Sequence, residues 1–193
     1  WLRRLAWAAV AANIIEDLVA FDSGALPAPV KIAHTLLGQL FFSATVVIAV
    51  FTSQSWNQIP KPVQEGSRLR RLTTTTAELV FLQVILGAVL RNGVTGSLPH
   101  ILGAVVVAVF LAPAMAELFR AQHPDLRSAG IALTMAASLQ ILLGFALLTI
   151  ESLDLDPEVI LVTTSAHVTL GSLTLAAAVV VAILVRRVTA SSK

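Results

Sequence analysis

Residues 82–111 read LQVILGAVLRNGVTGSLPHILGAVVVAVFL. Two apolar runs flank NGVTG, a stretch of glycine and turn-forming polar residues. With their flanks, the runs reach roughly 20 residues, the length of helix needed to cross a hydrocarbon core. His100 stands near the start of the second run, and Gly103 follows it. The pattern predicts a membrane hairpin with an imidazole near one edge. The same shape returns twice. LQILLG at 139–144 leads into TSAHVTLGSLTLAAAVVVAI at 164–183, with His167 and Gly171. IAHTLLGQLFF at 32–42 carries His34 and Gly38. Three of the four histidines in the chain thus occupy one register.

The composition supports a bilayer environment. Apolar residues make up 56% of the 193-residue chain and charged residues only 12%. A soluble domain carries about 25% charged residues. Mean hydropathy is +0.86. Zero cysteines excludes disulfides, thiolate metal sites and Fe–S clusters. The start of the chain lacks the small-residue cleavage site of a signal peptide and an initiator methionine. A processed chain or a piece of a longer protein is expected.

Six apolar segments can be marked off, at about 2–21, 29–52, 73–91, 96–119, 128–150 and 157–185. Helices are the only open-chain solution in lipid, because each satisfies its own backbone hydrogen bonds. The expectation is an all-α integral membrane protein whose six helices form three repeated hairpins. Residues 1–56 would be a helix pair, 57–72 a cytoplasmic loop, 73–187 a four-helix bundle and 188–193 a tail. In this arrangement Arg3, Arg4, Lys61, Arg68, Arg70, Arg71, Arg120, Arg127, Arg186, Arg187 and Lys193 share one side. Only Lys31 and Arg91 fall on the other, beside Asp22, Glu151, Asp154, Asp156 and Glu158. The positive-inside rule then places both termini in the cytoplasm.

His34, His100 and His167 each lie about 19–20 residues from the basic end of their helix, roughly 30 Å at the helical rise. All three imidazoles are therefore expected at one level, near the acidic surface. An isolated membrane histidine often does no more than bond to a neighbouring helix. Two at equal depth on consecutive hairpins suggest axial ligands on opposite faces of one b-type haem, His100 and His167, with Gly103 and Gly171 allowing close approach of the ring or a helix. No Cys-x-x-Cys-His motif is present for covalent attachment. Arg91 is the favoured partner for the anionic propionates and Lys31 the second candidate. His34 lacks an equivalent mate, which leaves a solitary ligand, a polar packing residue, or half of a pair whose other half is missing. His123, in RAQHPDLRS, is expected to be solvated. Glu16 and Asp17 are read as interface markers, and Glu78 and Glu117 as partners for nearby arginines. Nothing suggests nucleic-acid binding, since the basic residues are spread along one membrane face.

Three segments carry a resemblance to a known family: IAHTLLGQLFFSATVVIAVFTSQSW, LQVILGAVLRNGVTGSLPHILGAVVVAVFL, and LQILLGFALLTI followed by TSAHVTLGSLTLAAAVVVAI. Together they resemble the haem A synthase family of cytochrome oxidase assembly proteins, over nearly the whole chain. The resemblance implies eight spans in two similar four-helix halves. Its C-terminal half would hold haem b between the residues matching His100 and His167. Its N-terminal half would carry a second histidine pair and a catalytic glutamate, and would act on haem O, oxidising a ring methyl to a formyl. His34 matches the second histidine of that pair. The family's first two spans, with their glutamate-histidine-arginine motif, have no counterpart here. Asp17 replaces a small residue, Asn92 follows Arg91 where relatives often have histidine, and the cysteine pair of some relatives is missing.

The resulting expectation is a haem b-binding membrane protein, in a bacterial inner membrane, serving haem A biosynthesis, oxidase assembly or electron transfer. Catalysis would need the missing N-terminal elements from elsewhere. Partners would be the bilayer, haem, haem O, assembly factors or another membrane subunit. The alternative is a small membrane subunit of a respiratory or photosynthetic complex, with structural or pigment-binding histidines.

Overall fold

The computed structural model describes residues 3–4, 6–8, 10–11, 26–58, 63, 66–150, 153 and 156–190. The long helices are α1 (Ala28–Thr52), α3 (Ser67–Arg91), α4 (Leu98–Arg120), α5 (Pro124–Ile150) and α6 (Pro157–Ala190), with a short α2 (Gln54–Asn57) after the first. No strand occurs among the described residues. These five long helices are long and apolar enough to cross a membrane. The expected first span at 2–21 lies largely outside the described residues, as do Glu16 and Asp17.

Proline fixes several of the helix starts. Pro124 and Pro157 open α5 and α6, while α1 and α4 carry proline within their first two positions. A first-turn N–H has no intrahelical partner, so its loss there costs nothing. Asp156 adds a cap to α6, its Oδ1 accepting from the Glu158 amide at 2.9 Å. The stop of α3 is equally local. Gly93 takes φ +69°, and its amide donates to the Leu90 carbonyl at 2.9 Å, while Val94 donates to Val89 at 3.2 Å. Inside α4, Pro113 removes the N–H that would reach the Val109 carbonyl. The helix continues, and Thr76 of α3 donates to the neighbouring Phe110 carbonyl at 3.5 Å.

Three of these helices run past the apolar segments. The span expected at 73–91 begins at Ser67, so the loop expected at 57–72 ends earlier than its charge suggested. Arg68, Arg70 and Arg71 are good helix formers whose heads reach water, and hydropathy marks only the lipid-immersed part. For the same reason α5 starts four residues before 128 and α6 continues beyond 185.

Helices α3 to α6 form a ring. α3 packs on α4 and α6, and α5 packs on α6 and more lightly on α4. The diagonal pairs, α4 with α6 and α3 with α5, make no close backbone approach. α1 lies outside the ring against α6 and α3. One end of the bundle gathers arginines: Arg68 and Arg120 both pair with Glu117, at 3.4 and 3.2 Å. There too Arg187 of α6 donates to the carbonyls of Ser55, Trp56 and Gln58 and lies 4.3 Å over the Trp56 ring.

The clustered core lies towards that arginine end, with Ala88 of α3 buried beyond it. It comprises Leu111, Ala114, Met115 and Leu118 of α4, Leu126, Leu133 and Ala137 of α5, Leu175, Ala178, Val181, Val185 and Val188 of α6, and Leu69 and Val80 of α3. Towards the other end, no residue of 98–110, 138–150 or 157–173 is buried.

Candidate functional site

His100 and His167 lie towards the end of the bundle opposite the arginines. His100 is the third residue of α4 and His167 the eleventh of α6, helices on one diagonal of the ring. Their rings nevertheless meet across the centre, with centroids 6.2 Å apart and planes at 73°. Each is held from the helix that precedes it. Gln83 of α3 places its Nε2 3.1 Å from His100 Nδ1 and 3.4 Å from Nε2, and donates to the His100 carbonyl at 2.8 Å. Gln140 of α5 places its Nε2 3.1 Å from His167 Nε2.

The glycines complete both contacts. A Cβ on Gly87 would lie 3.1 Å from His100 Cε1, and one on Gly144 would lie 3.3 Å from His167 Cε1. A Cβ on Gly103 would fall 2.2 Å from Gln83 Oε1, and one on Gly171 would lie 3.4 Å from Gln140 Nε2. Helical spacing explains the match: Gln and Gly in LQVILG and LQILLG are four residues apart, and each histidine precedes its glycine by three or four. Each set lines one face, so glutamine and glycine of one helix meet histidine and glycine of the next.

Several buried polar atoms here have no hydrogen-bond partner: His167 Nδ1, Gln83 Oε1 and Gln140 Oε1. Such atoms are costly where no water reaches. The donor set suits a six-coordinate metal macrocycle. An imidazole nitrogen binds a metal at about 2.0–2.1 Å, so two rings on opposite sides of one ion have centroids roughly 6 Å apart. The observed separation meets that requirement, and nothing covalent is needed. Two histidines alone are a poor cage for a bare ion, and among the described residues no group of three or more His, Cys, Asp or Glu could hold one.

The remaining expected site residues lie apart. Arg91 is exposed at the last position of α3, and no hydrogen bond or ion pair joins it to the histidine pair among the described residues. Lys31 is half-buried in the first turns of α1. His34 lies on α1, outside the ring, with its Nδ1 buried and unpartnered. Two buried polar residues follow on the same helix, Gln39 and Ser43, also with unpartnered oxygens.

His123 requires a correction. It was expected in solvent, yet it is only 7% exposed and both ring nitrogens are buried without partners. Gln122 takes φ +48°, reversing the chain so tightly that α5 starts immediately after His123, whose carbonyl accepts from Arg127 at 2.9 Å. The link between α4 and α5 is too short to leave the ring outside. The glutamines were visible in the sequence as a repeated Leu-Gln, but that pattern alone assigned them no role.

A separate cavity of about 450 Å³ lies at the arginine end, between α1, α5 and α6, lined by Val46, Val50, Ser53, Asp125, Leu184 and Arg187. Arg187 is 20 residues along α6 from His167, roughly 30 Å by helical rise. It is no part of the histidine site.

Comparison of the chain with known protein families, with curated proteins and with solved structures finds no match.

Proposed function

We propose that this chain is a haem-binding membrane protein of haem A synthase type, in which His100 and His167 are the axial ligands of one haem b. The observation that carries the reading is the 6.2 Å separation of two imidazoles from diagonal helices. Gly87 and Gly144 keep each ring's flank clear, and Gln83 and Gln140 hold the ring edges. When bound, the haem would supply reversible one-electron chemistry. The residues of this chain would bind it, orient it and keep its faces out of lipid. Arg91, at the same end of the ring, is proposed to meet a propionate from the interface.

The finer architecture belongs to the same proposal. The matching Gln–His and Gly–His contacts in α3/α4 and α5/α6 support two copies of one hairpin, with α1 the second helix of a third. Orientation follows from the charge: the arginine end in the cytoplasm of a bacterial inner membrane, the histidine end outside. The substrate-haem role falls to His34, whose buried, unpartnered nitrogen supports a half-site completed by another segment or subunit. Electron transfer or haem handling in oxidase assembly is the role that the residues in hand support.

Absorbance of the purified chain loaded with haem tests the ligation. The expected ferrous spectrum has the sharp α and β bands of a low-spin haem. His100→Ala and His167→Ala each abolish them, while His34→Ala leaves them in place. Bands that survive both of the first two substitutions would remove the assignment.

A further inference from the structure

We propose that Gln83 and Gln140 are positioning residues for the two imidazoles: each amide binds a ring nitrogen of its histidine, Gln140 at His167 Nε2 and Gln83 nearest His100 Nδ1, and so holds the two ring planes crossed. The inference rests on the bis-histidine haem reading given above.

An imidazole that coordinates through one nitrogen carries a hydrogen on the other, and that N–H needs an acceptor. In a bundle surrounded by lipid, water is a poor substitute. The only side-chain hydrogen-bond partners of His100 and His167 among the described residues are the two glutamine amides. Both glutamines also have a carbonyl oxygen that is buried and unpartnered. As placed, each amide turns its NH₂ group to the ring, which suits a nitrogen bearing a lone pair. A half-turn about the last side-chain bond exchanges nitrogen for oxygen, and the same residue then accepts from an N–H. The glutamine therefore serves the ring in both states.

The two sides are not equivalent. Gln83 also donates to the His100 carbonyl at 2.8 Å, a bond that the half-turn gives up. Gln140 has no such second bond, so it is the freer acceptor and should have the larger effect. The glycines restrict where each amide can go: Gly103 lies against Gln83 and Gly171 against Gln140. Each ring is thus gripped at one edge by an amide and passed on one flank by a glycine. The two gripped rings stand at 73° to one another.

Crossed axial rings have a spectroscopic signature. A ferric low-spin haem with nearly perpendicular imidazoles shows one prominent large-g feature in electron paramagnetic resonance, whereas parallel rings give a resolved three-line rhombic signal. The test uses the full chain loaded with haem, as wild type and as Gln83→Leu, Gln140→Leu, Gln140→Asn and Gln140→Glu. Wild type is expected to show the large-g feature. Gln140→Leu should lose it in favour of a rhombic or mixed signal and raise the midpoint potential, since the ring nitrogen no longer has an acceptor to polarise it. Gln83→Leu should do the same more weakly. Gln140→Glu should keep the large-g feature and lower the potential, because a carboxylate is a stronger acceptor. Gln140→Asn, one methylene short, should resemble the leucine variant, and it decides the matter with Gln140→Glu if the leucine variants do not accumulate. Wild-type signal and potential in Gln83→Leu and Gln140→Leu, or a Gln140→Glu that behaves as leucine, overturns the proposal. A wild-type chain with no low-spin haem signal instead overturns the haem reading beneath it, and this inference falls with that reading.

Discussion

Gly103 lies so close to Gln83 that a Cβ on it would fall 2.2 Å from Oε1 and 2.8 Å from Leu86 Cδ1, whereas a Cβ on the matching Gly171 would have 3.4 Å to Gln140. The same sequence motif therefore sits in two different clearances. Gly103→Ala makes the ends of the Gln83 and Leu86 side chains give way, and overpacking typically costs 1–3 kcal/mol, against about 1 kcal/mol gained in helix propensity. Gly171→Ala meets ordinary van der Waals contact and should keep the propensity gain. Thermal melts in detergent should show Gly103→Ala below wild type and Gly171→Ala level with it or above.

Leu118 is fully buried where α4 and α5 meet, and a Cβ on Gly130 would lie 2.2 Å from its Cδ2. Leu118→Ala should cost about 2–5 kcal/mol by lost burial and cavity formation. Because the core and the histidines occupy opposite halves of the bundle, the variant that remains folded should bind haem with an unaltered absorbance spectrum. A shifted spectrum would show that the two halves are coupled.

Arg187 gathers the Ser55, Trp56 and Gln58 carbonyls and stacks on Trp56, tying the chain after α1 to the end of α6. Lysine keeps the charge but has neither the planar fork nor the stacking face. Arg187→Lys is expected to raise hydrogen exchange around residues 53–58 severalfold while leaving exchange at the histidine end unchanged.

The sequence made the helices legible because lipid enforces a simple rule: each span must be apolar and about 20 residues long. It placed the ends less well, since Ser67–Leu72 and Arg186–Ala190 are helical in a region where hydropathy carries no signal. The histidine pair was legible from register, as His100 and His167 fall at matching positions of matching helices. What periodicity could not carry was the partner of each ring. Gln83 and Gln140 repeat in the sequence as plainly as the histidines, but a glutamine in a membrane helix serves many ends, and only the 3.1 Å contacts single out this one. The burial of His123 is not legible in the sequence, because burial in a short link depends on the path of the chain, here set by positive φ at Gln122.

The central claim is that two imidazoles share one iron, and near-infrared magnetic circular dichroism of the ferric protein addresses it directly, since the charge-transfer band reports the pair of axial ligands. Wild type is expected to show the bis-imidazole band and His167→Met the band of mixed histidine–methionine ligation. A wild-type band from any other ligand pair, or a bis-imidazole band that persists in His167→Met, would contradict the account.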